Sequence, residues 1–343
     1  MNEKRDQSLD WIKGLAIILV VMGHACTPAL CEKSAVANVL YFLINSINMP
    51  VFFYISGLIY GKKKTNSTVS NVLYRKFKSL IVPYWAYTIF VWLSIFVGAK
   101  LPVLGSLLNK AGYSVNLADL FRGLVFPEWN VDKHLWFIYQ LFWIFVIRAL
   151  INHYLRNENI RKLVDCCTVL IAFIIYVLQI SPIYTISSVL RYLVFFMMGE
   201  YSICNKAKKS HLVLFVIFEI VYAVQYFNKC EILYLENFIR LCVGYTSIAL
   251  FMFLRSCIYP AVKKKSKTIV YLGVNSFWIY LVHQPFAVSG TVFVLSKVLI
   301  KEGGINSYQA IIIIVVSTII GVVTGCIAIK IKDYYKHMFG RRE

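Results

Sequence analysis

A chain of 343 residues that is 59% apolar and only 15% charged lies well outside the balance of soluble domains, which run at roughly 45–50% and 25%. Its formal charge of +20 argues for a membrane protein and against a nucleic-acid partner, because the basic residues sit in short loops between apolar runs with no nucleic-acid-binding motif among them. Nine cysteines, including the adjacent Cys166 and Cys167, lack the spacing of a metal or disulfide framework; only Cys26 and Cys31 lie where an oxidising compartment would let them pair.

A membrane span needs about 20 mostly apolar residues. Ten runs qualify in chain order: residues 11–30, 39–60, 80–99, 135–151, 163–180, 186–204, 212–227, 237–254, 269–295 and 310–331. The fourth and seventh are short, and the ninth is long enough that Pro285 is expected to kink it. The first run has the length of a signal-peptide core but no small-residue cleavage site, so it reads as a retained signal-anchor helix. With both termini placed in the cytoplasm, the inner loops carry roughly three times the Lys and Arg of the outer ones. The expectation is an all-α integral membrane protein of about ten transmembrane helices, forming a single membrane domain over 1–343 with no appended soluble domain. The longest outer segment, 100–133, reads either as an amphipathic interfacial helix or as a lid or wall for a polar acceptor.

The first run carries the clearest chemistry. Lys13 and His24 are eleven residues apart, about three turns plus roughly 20°, so they share a helix face about 16.5 Å apart along the axis. Asp10 precedes Lys13 at the i,i+3 spacing of an ion pair. Taken singly, Lys13 is explained by snorkelling and His24 by an interfacial position. Their alignment on one stripe favours function, since ionisable groups in a span face the bundle interior or a wet cavity.

The string D-W-I-K-G-L-A-I-I-L-V-V-M-G-H-A, followed by N-M-P-V-F-F-Y-I-S-G at 48–57, resembles the membrane acyltransferase-3 family, in the form of its fucose 4-O-acetylase-like group. The family's basic residue and His in the first helix correspond to Lys13 and His24, with Lys in place of the commoner Arg. Later matches are Arg75-Lys76-Phe77-Lys78 before Pro83, His134-Leu135-Trp136-Phe137-Ile138, and Ser276 to Pro285 containing His283. Lys78 replaces the usual second Arg of its motif.

The resemblance implies an O-acyltransferase of the bacterial cytoplasmic (inner) membrane. It would use acetyl-CoA or another short acyl-CoA as donor substrate, hold no permanently bound cofactor or metal, and acylate a glycan or a lipid-linked sugar in the lipid bilayer. His24 would be the base, imidazole titrating near neutrality, or would itself become acylated and relay the group, with Lys13 and Asp10 as its catalytic companions. Arg75, Lys76 and Lys78 would meet the coenzyme A phosphates, and His134, Trp136, His283 and Ser56 would line the substrate. Plain readings stand beside these: positive-inside residues for the basic trio, a core histidine for His283, a helix-packing contact for Ser56-Gly57, and ion pairing between helices for Arg191, Glu200 and Arg240. The competing function is a transporter or flippase for polysaccharide or lipid-linked sugar, which buried charges also suit. No HExxH-type zinc signature is present.

Overall fold

A computed structural model describes residues 5–62, 68–102, 105, 106, 108, 116–178, 184–204, 209–228, 232–300 and 304–339. No β-strand forms among them, and the principal elements are all helical. In chain order these are α1 (Gln7–Ala25), α2 (Pro28–Lys33), α3 (Ala35–Lys62), α4 (Val69–Lys76), α5 (Val82–Ala99), α6 (Leu117–Val125), α7 (Trp136–Tyr154), α8 (Glu158–Val177), α9 (Tyr184–Glu200), α10 (Lys209–Phe227), α11 (Leu233–Phe253), α12 (Tyr259–Val262), α13 (Lys267–Val274), α14 (Ser276–Val282), α15 (Val288–Leu299) and α16 (Ser307–Phe339). A π-helical turn at Phe77–Ile81 joins α4 to α5, so Val69–Ala99 runs as one long helix.

Seven helices among the described residues are long and apolar enough to cross a bilayer, which makes this a multi-pass membrane protein. The fifth expected run is a helix of 20 residues, α8, whose early turns carry Glu158, Arg161, Lys162 and Asp165. The sixth is the 17-residue α9. The ninth run is not one kinked helix: it is broken into α13, α14 and α15 by turns at Asn275 and at 283–287. Pro285 cannot donate a backbone hydrogen bond, and it lies in the second of these turns.

The chain forms two compact units, one built from Met1–Lys62 and Phe195–Glu343, the other from Lys63–Val194. The first unit is assembled by glycines that let helix backbones touch. A Cβ on Gly273 of α13 would lie 1.7 Å from the carbonyl oxygen of Asp10, and one on Gly14 would lie 2.0 Å from that of Ile269. Likewise a Cβ on Gly57 would fall 1.9 Å from the Phe196 carbonyl oxygen, and one on Gly199 1.9 Å from that of Tyr54. Small residues at such crossings give the close van der Waals packing that replaces the hydrophobic effect between helices in lipid. Cys26 and Cys31 are free thiols in this unit.

In the second unit, the described part of the 100–133 segment packs against α5. The Trp92 indole N–H donates to the Asn116 carbonyl at 3.2 Å, the Trp85 N–H to the Leu124 carbonyl at 3.0 Å, and the Tyr84 hydroxyl to the Gly123 carbonyl. Helix α6 therefore runs antiparallel along α5, from the level of Trp92 to that of Tyr84. The Trp85 and Tyr84 donors satisfy carbonyls that a short helix leaves unpaired at its C-terminal end. Leu117, Phe121 and Val125, at i,i+4,i+8, form an exposed apolar stripe on α6 beside the exposed Arg122, the amphipathic pattern of an interfacial helix. The segment ends in a 3₁₀ turn at Lys133–Leu135, from which α7 begins.

Candidate functional site

Asp10, Lys13, His24, Ser56 and His283 belong to the first unit, and Arg75, Lys76, Lys78, His134 and Trp136 to the second. In the first, the stripe on α1 is partly as its spacing implied. Lys13 Nζ lies 2.7 Å from Asp10 Oδ1, and the exposed Arg5 also binds Asp10, through Nε to Oδ2 at 2.6 Å. Asp10 is buried, so one carboxylate is held between two cations. Paired charge-assisted contacts of this kind make an ionised group tolerable below the surface. Arg5 was not legible as a partner, because a five-residue separation that starts outside the helix carries no face rule.

His24 lies near the other end of α1, half-buried, with its ring centroid 5.1 Å from that of His283. His283 is fully buried and follows the last residue of α14, where helix carbonyls lack an intrahelical donor. Its Nδ1 sits 2.7 Å from the Tyr280 carbonyl oxygen and 3.2 Å from that of Ile279. A carbonyl can only accept, so Nδ1 carries the hydrogen, and in the neutral ring Nε2 holds the lone pair. The break in the ninth apolar run thus places a histidine of defined tautomer beside His24. Gly321 of α16 lets the surrounding helices close in: a Cβ there would meet Val288 at 2.5 Å and Val21 at 2.8 Å. On the α3 side, Gly23 faces Ile44, Asn45 and Asn48. Ser56 Oγ donates to the Phe52 carbonyl of its own helix at 2.8 Å, and Gly57 beside it makes the close contact with Phe196.

In the second unit, Arg75 and Lys78 are exposed and Lys76 is half-buried, with Nζ 3.5 Å above the Phe145 ring. Trp136 packs on Tyr192, ring centroids 5.2 Å apart. His134 is buried, with Nδ1 2.5 Å from Asp132 Oδ1. Asn130 supports that pair: its Oδ1 accepts the Asp132 backbone N–H at 2.9 Å, and its Nδ2 donates to Thr88 Oγ1 at 2.8 Å and toward Tyr84 Oη at 3.2 Å. Asp132 is one of the polar residues that set this segment apart in the sequence, but its pairing with His134 and the support from Asn130 were not legible, since a loop gives no periodicity that brings i and i+2 side chains together.

The intramembrane charges find partners of several kinds. The Arg191 guanidinium stacks on Tyr176 at 4.5 Å. Arg240 donates to the Tyr222 hydroxyl at 2.7 Å and pairs with Glu236 on its own helix at 3.3 Å. Arg148 and Asp165 also pair, joining α7 to α8 through both carboxylate oxygens. Among the described residues no group of three His, Cys, Asp or Glu is arranged to hold a metal ion.

A family model described as an acyltransferase domain, that of membrane acyltransferase family 3, matches residues 6–331. No curated protein and no solved structure matches the chain.

Proposed function

The chain belongs to membrane acyltransferase family 3, and on that premise we propose that this acyltransferase moves a short acyl group, acetyl first among them, from cytoplasmic acyl-CoA to a hydroxyl of a cell-surface glycan or its lipid-linked precursor. The reading includes a ten-span topology with both termini in the cytoplasm of a bacterial inner membrane. The observation that carries it is His24 standing 5.1 Å from the buried His283.

The chemistry follows from what acyl transfer requires. The acceptor oxygen attacks the thioester carbonyl, its proton passes to a base, the carbon–sulfur bond breaks, and the sulfur leaves as thiol after taking a proton back. His24 is the base, a role typically worth about 10²–10⁴ in rate. His283, with its Nδ1 committed to backbone carbonyls, supports the neighbouring imidazole. The Lys13 ammonium, held by Asp10, supplies fixed positive charge for the donor. Exposed Arg75 and Lys78, with Lys76, suit the phosphates of coenzyme A.

The test uses membranes containing wild type or His24→Ala, radiolabelled acetyl-CoA and the host's surface glycan fraction, with label followed into alkali-labile ester. Label in wild type and near-background label in the variant, at equal protein level, is the expected outcome. Equal labelling in both removes His24 from the mechanism. No label in either, with succinyl-CoA also tried, moves the weight to a sugar transporter.

A further inference from the structure

The stretch between α6 and α7 carries a polar site that the chemistry above leaves unused. Asp132 and His134 are each about 95% buried, and their short contact joins one carboxylate oxygen to Nδ1. The other oxygen, Asp132 Oδ2, is buried with no hydrogen-bond partner among the described residues. A buried carboxylate oxygen left in that state is costly. Its surroundings are built rather than accidental, because Asn130 holds the Asp132 backbone and is itself anchored on Thr88 and Tyr84 of α5.

A buried carboxylate oxygen accepts only hydrogen-bond donors, and among the described residues no third acidic, histidine or cysteine ligand is arranged with it for a metal ion. A cationic ligand would have to bury a full charge at high cost. A neutral donor remains, and a sugar hydroxyl is the donor that an O-acyltransferase must bind. We propose that Asp132 Oδ2 and the His134 imidazole form a hydroxyl-binding subsite for the polyol acceptor. In it Asp132 binds directly and also positions His134, by fixing which ring nitrogen carries hydrogen. This assignment rests on the glycan-acceptor reading above, and it adds where the acceptor is held and by which groups.

The test reconstitutes the full chain in lipid nanodiscs and uses hexyl glycosides of glucose, galactose and fucose as probes, below their micelle-forming concentrations. Two readouts are taken: thiol release from acetyl-CoA, and the dependence of the melting midpoint on glycoside, which rises with any ligand that binds the folded state. Asp132→Asn keeps the acceptor toward His134 but turns the other oxygen into a donor. The expected result is a KM for glycoside raised about tenfold to a hundredfold, the loss of one hydrogen bond to a charged group. Maximal rate and KM for acetyl-CoA stay close to wild type, and the glycoside-dependent melting shift disappears. An unchanged glycoside KM overturns the assignment. So does a collapse of kcat at unchanged KM, which would make the pair part of the proton-transfer chemistry instead. If Asp132→Asn does not fold, His134→Gln and the wild-type melting shift decide: no shift with any glycoside overturns the site. Wild type that releases no thiol yet shows a shift abolished by Asp132→Asn would sink the acyl-CoA reading and leave the subsite standing.

Discussion

Two histidines, one in each unit, have the same ring nitrogen held by different means. His283 is held by backbone carbonyls at the end of α14, whereas His134 is held by a carboxylate on the stretch before α7. Either partner sets which nitrogen of a neutral ring carries the hydrogen. The first arrangement needs only a broken helix and close packing. The second needs a loop with its own anchors, Asn130, Thr88 and Tyr84, because buried polar groups must be satisfied one by one. One unit therefore depends on helix contact and the other on a polar network, and the two should fail differently.

The largest expected effect breaks the chemistry of the first unit without breaking its fold. His24→Ala should lower acyl transfer by about 10²–10⁴ with folded protein unchanged, read as ester label per mole of protein after size-exclusion chromatography. Next comes the packing itself. Gly273→Ala drives a methyl into the Asp10 carbonyl and the Gly14 nitrogen, and overpacking typically costs about 1–3 kcal/mol. A backbone obstacle that cannot rotate away puts this variant at the upper end, visible as a lowered melting midpoint and a loss of the monodisperse peak. A Gly273→Ala protein with wild-type melting would show that the α1–α13 contact is looser than described.

The matching test in the second unit is Asn130→Ala, which leaves the Asp132 N–H and the groups on α5 without their partner. A cost of about 1–3 kcal/mol is expected for buried groups left unsatisfied. Glycoside binding should weaken as well, whereas Gly273→Ala should leave that affinity unchanged in whatever protein still folds. If Asn130→Ala matches wild type in both respects, the network does not hold the loop.

The smallest effect concerns the start of α1. Burial alone would raise the Asp6 carboxyl, but the Ser8 hydroxyl, Arg255, the Leu9 backbone N–H and Lys62 together hold it below the ordinary carboxylate range. A carboxyl depressed in the folded state adds stability above its unfolded value, and that contribution is lost as pH falls through the depressed folded value. Asp6 is about a third exposed, so solvent and salt screen the effect. The melting midpoint of Asp6→Asn should lie slightly below wild type at neutral pH and converge with it in acid. A gap that stays constant across that range would assign the effect to helix capping rather than charge.

Much of the first unit was legible because a helix converts spacing into geometry. Asp10 and Lys13 at i,i+3 meet as that rule requires, and the apolar runs containing His24 and His283 were evident from composition alone. That these two rings lie together was not, since sequence carries no direct measure of contact across a separation of 259 residues. Arg148 and Asp165 escaped notice for the same reason: they sit in different expected runs, 135–151 and 163–180, and only packing joins α7 to α8.

By itself, the sequence determined that the chain is helical, that it crosses a membrane several times, and that one helix presents an acid, a base and a histidine along its length. Apolar length and helical period are local properties, and local properties survive without a fold. The tertiary structure alone decided that the ninth run breaks into three helices and that the polar segment after α5 folds back along it. The physical reason is that a loop's course is set by which distant donors satisfy its carbonyls, and Tyr84, Trp85 and Trp92 become those donors only once α5 stands beside it.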